Sequence, residues 1–217
     1  MKCPVQPGRD FDAITSDLAV WHAYDPVVRA ELYSTCLTTG SGGIYLVDPI
    51  PLEKRALGEL IGSSRVAGIV VTNSNHHRAA ARFAERFSAP VVAHNDTFPD
   101  EQPRQLKKVV DGDEICGGLR VVSIEGAAPG EIALHHAGDS GTLIVGDALI
   151  NFEPYGFTFL PAKYCSNQKQ MRRSLRKLLD CEVERMFFAH GTPILTRASE
   201  RLQSVLDRHP WEHSEKD

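Results

Sequence analysis

Apolar residues in this chain form short runs, and polar turns or amphipathic segments separate them. Short β-branched runs are typical of buried strands, and apolar residues recurring once per helical turn are typical of helices. Gly-containing turns join two pairs of strands into hairpins, at residues 32–48 and 132–145. Other strands are predicted at residues 18–24, 67–72, 90–93, 119–124 and 183–188, and helices at residues 51–61, 78–87, 168–179 and 197–208.

This order of elements gives two β-rich halves, each followed by helices. Strands that feed hairpins, with helices between them, favour helix layers outside β-sheets, so an α/β (α+β) fold is predicted. No Pro-, Ser- or Gly-rich linker divides the 217 residues, a length sufficient for one large core. We therefore expect a single domain over residues 1–217.

Composition narrows the classes of partner. The net charge of -4 argues against a nucleic-acid partner, which usually needs a basic face. No apolar run approaches the ~20 residues that span a bilayer, so no membrane partner is expected. The five Cys are scattered without a Cys-x-x-Cys pair, which favours reduced thiols and a cytoplasmic location. The sequence does not indicate an oligomeric state.

The candidate chemistry lies in a polar loop between the strand at residues 67–72 and the helix that follows. This layout resembles the His-x-His-x-Asp-His motif of the metallo-β-lactamase superfamily. In that register Asn73 and Asn75 stand where two His ligands belong. His77 stands in place of the Asp and Arg78 in place of the last His. The loop therefore resembles a metal-binding motif with most of its ligands replaced.

Three further motifs of that superfamily follow in order. Glu131 stands where the family has the His of Pro-Gly-His, Asp147 matches the strand-end Asp that bridges two metals, and His190 matches the last strand-end His. With the early hairpin, the resemblance covers about residues 18–206. It implies a four-layered αββα sandwich with the site at one edge of the sheets.

The same resemblance decides which metals can be expected. The first metal of the family would here be held by Asn73, Asn75 and Glu131, and neutral amides are poor zinc ligands. A dinuclear centre is therefore not expected. The second metal position would draw on His77, Asp147 and His190, a plausible set of two imidazoles and one carboxylate.

Two functions remain open at this point. Arg78 cannot coordinate a metal, but it can bind Glu131 and Asp147 and replace the missing metal charge. A protein of this kind has no cofactor and keeps the cleft for a small molecule or a partner. Ligand chemistry favours it over a mononuclear hydrolase of an ester, thioester or lactone, with one zinc or manganese ion and Glu131 as base. The predicted cleft residues are Asn73, Asn75, His76, His77, Arg78, Glu131, Asp147 and His190.

His76 falls between two ligand positions of the family motif and is not a ligand there. As a loop residue at the edge of a site, it is interpreted either as a proton carrier or as a histidine hydrogen-bonded to nearby backbone.

Overall fold

The strands of the first half form one sheet of seven. A computed structural model describes residues 6–40, 42–115 and 118–208, so Ser41 of the predicted hairpin turn lies outside the described residues. Strand order follows the chain, with antiparallel pairing from β1 to β4 and parallel pairing from β4 to β7. The strands are β1 (Asp12–Ala13), β2 (Leu18–Asp25), β3 (Ala30–Thr38), β4 (Gly43–Val47), β5 (Arg65–Val71), β6 (Val91–His94) and β7 (Leu106–Val109).

The second half of the chain forms a five-stranded sheet and a separate two-stranded hairpin. Its strands are β8 (Glu114–Ile115), β9 (Leu119–Ser123), β10 (Ile132–His136), β11 (Thr142–Val145), β12 (Leu149–Phe152), β13 (Gly156–Phe159) and β14 (Arg185–Phe188). The sheet order is β14-β11-β10-β9-β8, and β12 pairs with β13. Within this five-stranded sheet, as described, the pairing of β11 with β14 is parallel and the others are antiparallel.

Helices lie between these strands and after the last one. The α-helices are α1 (Lys54–Ile61), α2 (Ala80–Phe87), α3 (Gln168–Leu175) and α4 (Ala198–Arg208), with short 3-10 helices at Asn95–Thr97, Ala162–Tyr164 and Arg176–Asp180. Asn167 caps α3, since its side chain accepts a hydrogen bond from the backbone N–H of Gln170. No helix in the described ranges is long and apolar enough to cross a lipid bilayer.

Side chains along each strand point alternately toward the helices and toward the other sheet, and this alternation defines the layers of the fold. In β5, Ile69 and Val71 pack with α1 and α2, while Val70 points into a core shared with the second sheet. In β11, Leu143 packs with α3 and α4, while Ile144 joins the shared core. The order is helices, sheet, sheet, helices. The predicted αββα sandwich is therefore confirmed.

Element ends differ from the sequence-based prediction where the backbone is constrained. The helix predicted at residues 78–87 begins at Ala80, because Arg78 has a φ of 36°, outside the helical region. The helix predicted at residues 51–61 begins at Lys54, because Leu52 forms a bridge with Gly8. Short strands such as β1 and β8 were not predicted, because two residues carry no alternation pattern.

Candidate metal site

The ends of four strands bring the candidate residues to one edge of the two sheets. Asp48 follows β4, Thr72 follows β5, Asp147 follows β11 and His190 follows β14. Backbone hydrogen bonds tie the sheets together here: the N–H of Ile132 donates to the carbonyl of Thr72 at 2.8 Å. Polar side chains on both sheets are therefore held close together by the fold itself.

The loop after β5 turns back on itself and carries His76 inward. The side-chain oxygen of Asn73 accepts a hydrogen bond from the N–H of Asn75 at 2.8 Å, and its carbonyl accepts one from the N–H of His76 at 3.1 Å. Such a side-chain-closed turn is a usual local structure for Asn. His76 is only 2% exposed as a result.

The imidazole of His76 lies between two carboxylates. Its Nδ1 is 2.9 Å from Asp48 Oδ2, and its Nε2 is 3.1 Å from Asp147 Oδ1. Burial alone lowers the pKa of His76, and so does the charge of Arg78. The negative charges of Asp147 and Asp48 outweigh both and raise the pKa to about 9. In the metal-free protein at neutral pH, His76 therefore balances these two acids as a cation.

Three donor atoms converge at this point. His190 Nε2 is 3.3 Å from Asp147 Oδ1, and one ligand atom each from His76, Asp147 and His190 lie within 4.8 Å of one another. Although His76 Nε2 is near Asp147, it has no partner with hydrogen-bond geometry in the described part of the chain. Burial lowers the pKa of His190, which keeps its imidazole neutral. Two imidazoles and a carboxylate that leave a buried nitrogen unpaired fit a single divalent ion.

The positions that would hold the family's first metal are bonded to one another. The amide NH2 of Asn73 donates to Glu131 Oε2 at 2.7 Å and to Asp147 Oδ2 at 3.2 Å. The NH2 of Asn75 is 3.4 Å from the same Asp147 oxygen, and the N–H of Ala148 donates to Glu131 Oε1 at 3.0 Å. Their donor and acceptor atoms are thus already used, and this half of the site does not fit a metal.

Glu131 carries the other large shift of pKa in the site. Burial raises the pKa of its carboxyl, the charge of Asp147 adds to this, and the pKa reaches about 8. Glu131 therefore holds a proton for part of the time near neutral pH.

The structure corrects the predicted position of Arg78. Its guanidinium donates to the carbonyls of Tyr33 at 2.6 Å, Asp48 at 2.9 Å and Ala189 at 3.2 Å. Tyr33 lies within β3, whereas Asp48 and Ala189 follow β4 and β14, and a guanidinium has enough donors to satisfy all three carbonyls. The prediction that Arg78 lies between Glu131 and Asp147 is wrong, since the amide of Asn73 joins those carboxylates.

The structure also contradicts the predicted grouping of His77 with Asp147 and His190. His77 Nε2 lies 2.8 Å from the carbonyl of Thr97, and its ring stacks on Phe98 with centroids 4.2 Å apart. His76, which sequence reasoning placed outside the ligand positions, lies beside Asp147 and His190 instead. Asp48 was also missed as a site residue. The available signal was its place directly after a buried strand, the same place that identified Asp147.

A glycine makes this close packing possible. A Cβ on Gly146 would lie 2.6 Å from Glu131 Oε1 and 2.7 Å from Thr72 Oγ1. We expect Gly146→Ala to lower the free energy of unfolding by about 1 to 3 kcal/mol, because both neighbours are buried and fixed. The control is Gly58→Ala, where the new methyl meets open space in α1 and should stabilise by about 0.5–1 kcal/mol. Urea unfolding compares them, and equal effects would contradict the close packing.

The stability of the metal-free protein should fall as the pH rises from about 6.5 to 9. The raised pKa of His76 contributes stability that is complete below its ordinary value and is lost as the pH passes about 9. The raised pKa of Glu131 acts in the same direction, because between about pH 4.5 and 8 the unfolded chain has lost a proton that the folded protein keeps. The expected loss of stability between about pH 6.5 and 9 is on the order of 5 kcal/mol, which urea unfolding in the presence of a chelator measures. His76→Gln should flatten the profile and the exposed His22→Gln should not; identical profiles would contradict the pKa assignment.

Comparison with known proteins agrees with this architecture. The family model described as metallo-beta-lactamase superfamily matches residues 13–208. No curated protein matches the chain in sequence.

Solved structures with a similar fold come from several organisms. A metallo-beta-lactamase family protein from Thermus thermophilus is 22% identical, with a TM-score of 0.66 and coverage of 91% of this chain and 80% of that one. A metallo-beta-lactamase from Pontibacter korlensis is 14% identical, with a TM-score of 0.70 and coverage of 92% and 99%. A flavo di-iron protein mutant from Thermotoga maritima is 13% identical, with a TM-score of 0.65 and coverage of 93% and 62%. Because the family model matches nearly the whole described chain, the protein belongs to the metallo-β-lactamase superfamily.

Proposed function

We propose that this chain is a mononuclear metal-dependent hydrolase of an ester, thioester or lactone, in which His76, Asp147 and His190 hold one divalent ion. The observation that carries the proposal is the convergence of two imidazole nitrogens and a carboxylate oxygen around a buried, unpaired His76 Nε2. Catalytic zinc sites commonly use three protein ligands and keep one position open.

The separations between donor atoms support this assignment. Ligands about 2.1 Å from a tetrahedral zinc lie about 3.4 Å apart. The distances from Asp147 Oδ1 to the two Nε2 atoms are 3.1 Å for His76 and 3.3 Å for His190. The same set of two His and one carboxylate also suits manganese and ferrous iron. All three metals belong in the test, iron also because one structural relative is a flavo di-iron protein.

The residues of the chain have separable roles in such a reaction. When bound by this set, a divalent ion would supply a Lewis acid and a water-derived nucleophile at neutral pH. Glu131, whose buried carboxyl has a raised pKa in the metal-free protein, can accept and return a proton at Oε2 beside the amide of Asn73. Asn73 and Asn75 hold Asp147 through its second oxygen, which leaves Oδ1 toward the two imidazoles.

A metal-free function is the second candidate, and one observation favours it. The pKa of His76, at about 9, means that a protonated imidazole can itself balance Asp48 and Asp147. The chain would then keep its cleft for a small molecule or a partner, with His76 as the internal cation in place of Arg78.

Metal content separates the two candidates. Protein purified without a His tag is dialysed against zinc, manganese or ferrous iron, and bound metal is measured by elemental analysis. About one ion per chain, lost on His190→Ala, supports the hydrolase and justifies a panel of esters, thioesters and lactones. No bound ion at near-stoichiometric metal would overturn the mononuclear centre and leave the metal-free candidate.

A further inference from the structure

We infer that Asp48 is a positioning residue, which binds Nδ1 of His76 and thereby makes Nε2 the metal-binding atom. This inference rests on the proposed function. Asp48 stands at none of the ligand positions of the family motif, and no ligand atom of Asp48 belongs to the convergent set found among the described residues. Its carboxylate therefore reaches the candidate metal site through His76.

Hydrogen bonds from Thr72 hold the carboxylate of Asp48 in one orientation beside His76. It is 2% exposed, and its Oδ1 accepts a hydrogen bond from the N–H of Thr72 at 2.8 Å. Its Oδ2 accepts one from the Thr72 hydroxyl at 2.5 Å and lies 2.9 Å from His76 Nδ1. Thr72 directly follows β5, and its carbonyl accepts a hydrogen bond from the N–H of Ile132. Because Thr72 is held in this way, the carboxylate presents Oδ2 to the imidazole in one orientation.

That orientation decides which nitrogen can bind a metal. An ionised carboxylate only accepts hydrogen bonds, so the nitrogen facing it must carry the hydrogen. With the hydrogen on Nδ1, the lone pair of a neutral His76 is on Nε2, which faces Asp147 and His190. A carboxylate behind a metal-binding histidine is a common support, because it fixes both the tautomer and the ring orientation.

The neighbouring histidine shows why this partner matters. His77 has the same side chain, but its Nε2 faces the carbonyl of Thr97, another group that only accepts. Its hydrogen therefore belongs on Nε2, the opposite tautomer to that of His76. The two adjacent histidines therefore have opposite tautomers, because Asp48 faces Nδ1 of His76 and the carbonyl of Thr97 faces Nε2 of His77.

The test compares two buried aspartates. Asp48→Asn keeps the shape but removes the charge that fixes the tautomer. The matched control is Asp25→Asn, also buried, whose carboxylate accepts from the N–H of Val27 in the β2–β3 turn. Zinc affinity is measured by competition with a chromophoric chelator, and folding by circular dichroism. We expect a 10- to 100-fold loss of zinc affinity for Asp48→Asn and less than about twofold for the control.

Nitrogen-15 NMR gives a readout that a merely structural role would not change. In zinc-loaded protein, His76 should show a hydrogen on Nδ1 and zinc on Nε2, and Asp48→Asn should lose this pattern. If that variant does not fold, Thr72→Val replaces it, because it removes the hydroxyl that bonds Asp48 Oδ2 and also lies 2.9 Å from His76 Nδ1. Its control is Thr72→Ser, which keeps the hydroxyl, and several-fold weaker zinc binding by the Val variant alone supports the inference.

The outcomes separate this inference from the proposed function. If wild-type protein binds zinc and Asp48→Asn binds it equally well with an unchanged NMR pattern, the role of Asp48 is overturned and the metal site stands. Equal affinities in the Val and Ser variants of Thr72 would overturn it in the same way. If wild-type protein binds none of zinc, manganese and ferrous iron, both the proposed function and this inference fail.

Discussion

Replacing His76 with alanine should abolish metal binding, whereas the same change at His77 should leave it intact. His76 Nε2 is one of the three convergent donors, and losing one of three ligands should weaken zinc binding by at least ~100-fold. His77 contacts Thr97 and Phe98 instead. Its removal should lower stability by about 1 to 2 kcal/mol while changing zinc affinity by less than about threefold. Chelator competition and urea unfolding measure the two effects.

The pair of variants is its own control, because the residues are adjacent and chemically identical. The reverse result, with zinc binding lost in His77→Ala and kept in His76→Ala, would restore the ligand set predicted from the motif. It would also mean that the loop after β5 adopts a different turn when metal is bound.

The fold and the place of the site could be predicted because both depend on repeating local patterns. Alternation along strands such as β5 and β11 assigns each side chain to a helix layer or to the shared core. Strand ends then fix where Asp147 and His190 lie, and the structure brings both to the same point. Neither step requires knowledge of contacts between distant side chains.

The roles of the loop residues could not be predicted, because they depend on such contacts. Aligning the loop with the family motif assumes the family's turn, but here the side chain of Asn73 closes a turn onto the N–H of Asn75. This turn sends His76 inward and leaves His77 against Phe98. The side chain of Asn73 therefore helps to decide which of the two histidines reaches the site.

The charges of Arg78 and Asp48 show a similar limit. Opposite charge led to the prediction that Arg78 binds the acids at the site. In the structure its guanidinium donates to three backbone carbonyls instead. The pKa of Asp48 is affected most by burial, which raises it. The charge and hydrogen bond of His76 and the charge of Arg78 outweigh burial and leave the pKa lowered. This partnership joins residues 28 positions apart and becomes visible only when the sheet edges are assembled.

Asn73→Asp should destabilise the metal-free protein by about 3 kcal/mol or more at neutral pH. Asn73 is fully buried, and its NH2 is the donor that joins Glu131 to Asp147. An Asp keeps the oxygen that closes the loop but places a third carboxylate beside two others, without the donor that separated them. Urea unfolding in the presence of a chelator measures the loss. The difference from wild type should shrink at lower pH, where one carboxyl takes up a proton.

The same substitution at Asn167 is the matched control. Asn167 caps α3, a position where Asp is as favourable as Asn, so Asn167→Asp should change stability by less than about 0.5 kcal/mol. Manganese should restore much of the stability of Asn73→Asp, because a divalent cation can replace the lost amide between three carboxylates. If Asn73→Asp unfolds like wild type in chelator, the amide does not hold the two acids together. The group of Asn73, Asn75 and Glu131, which resembles the family's first metal position, would then need another source of stability.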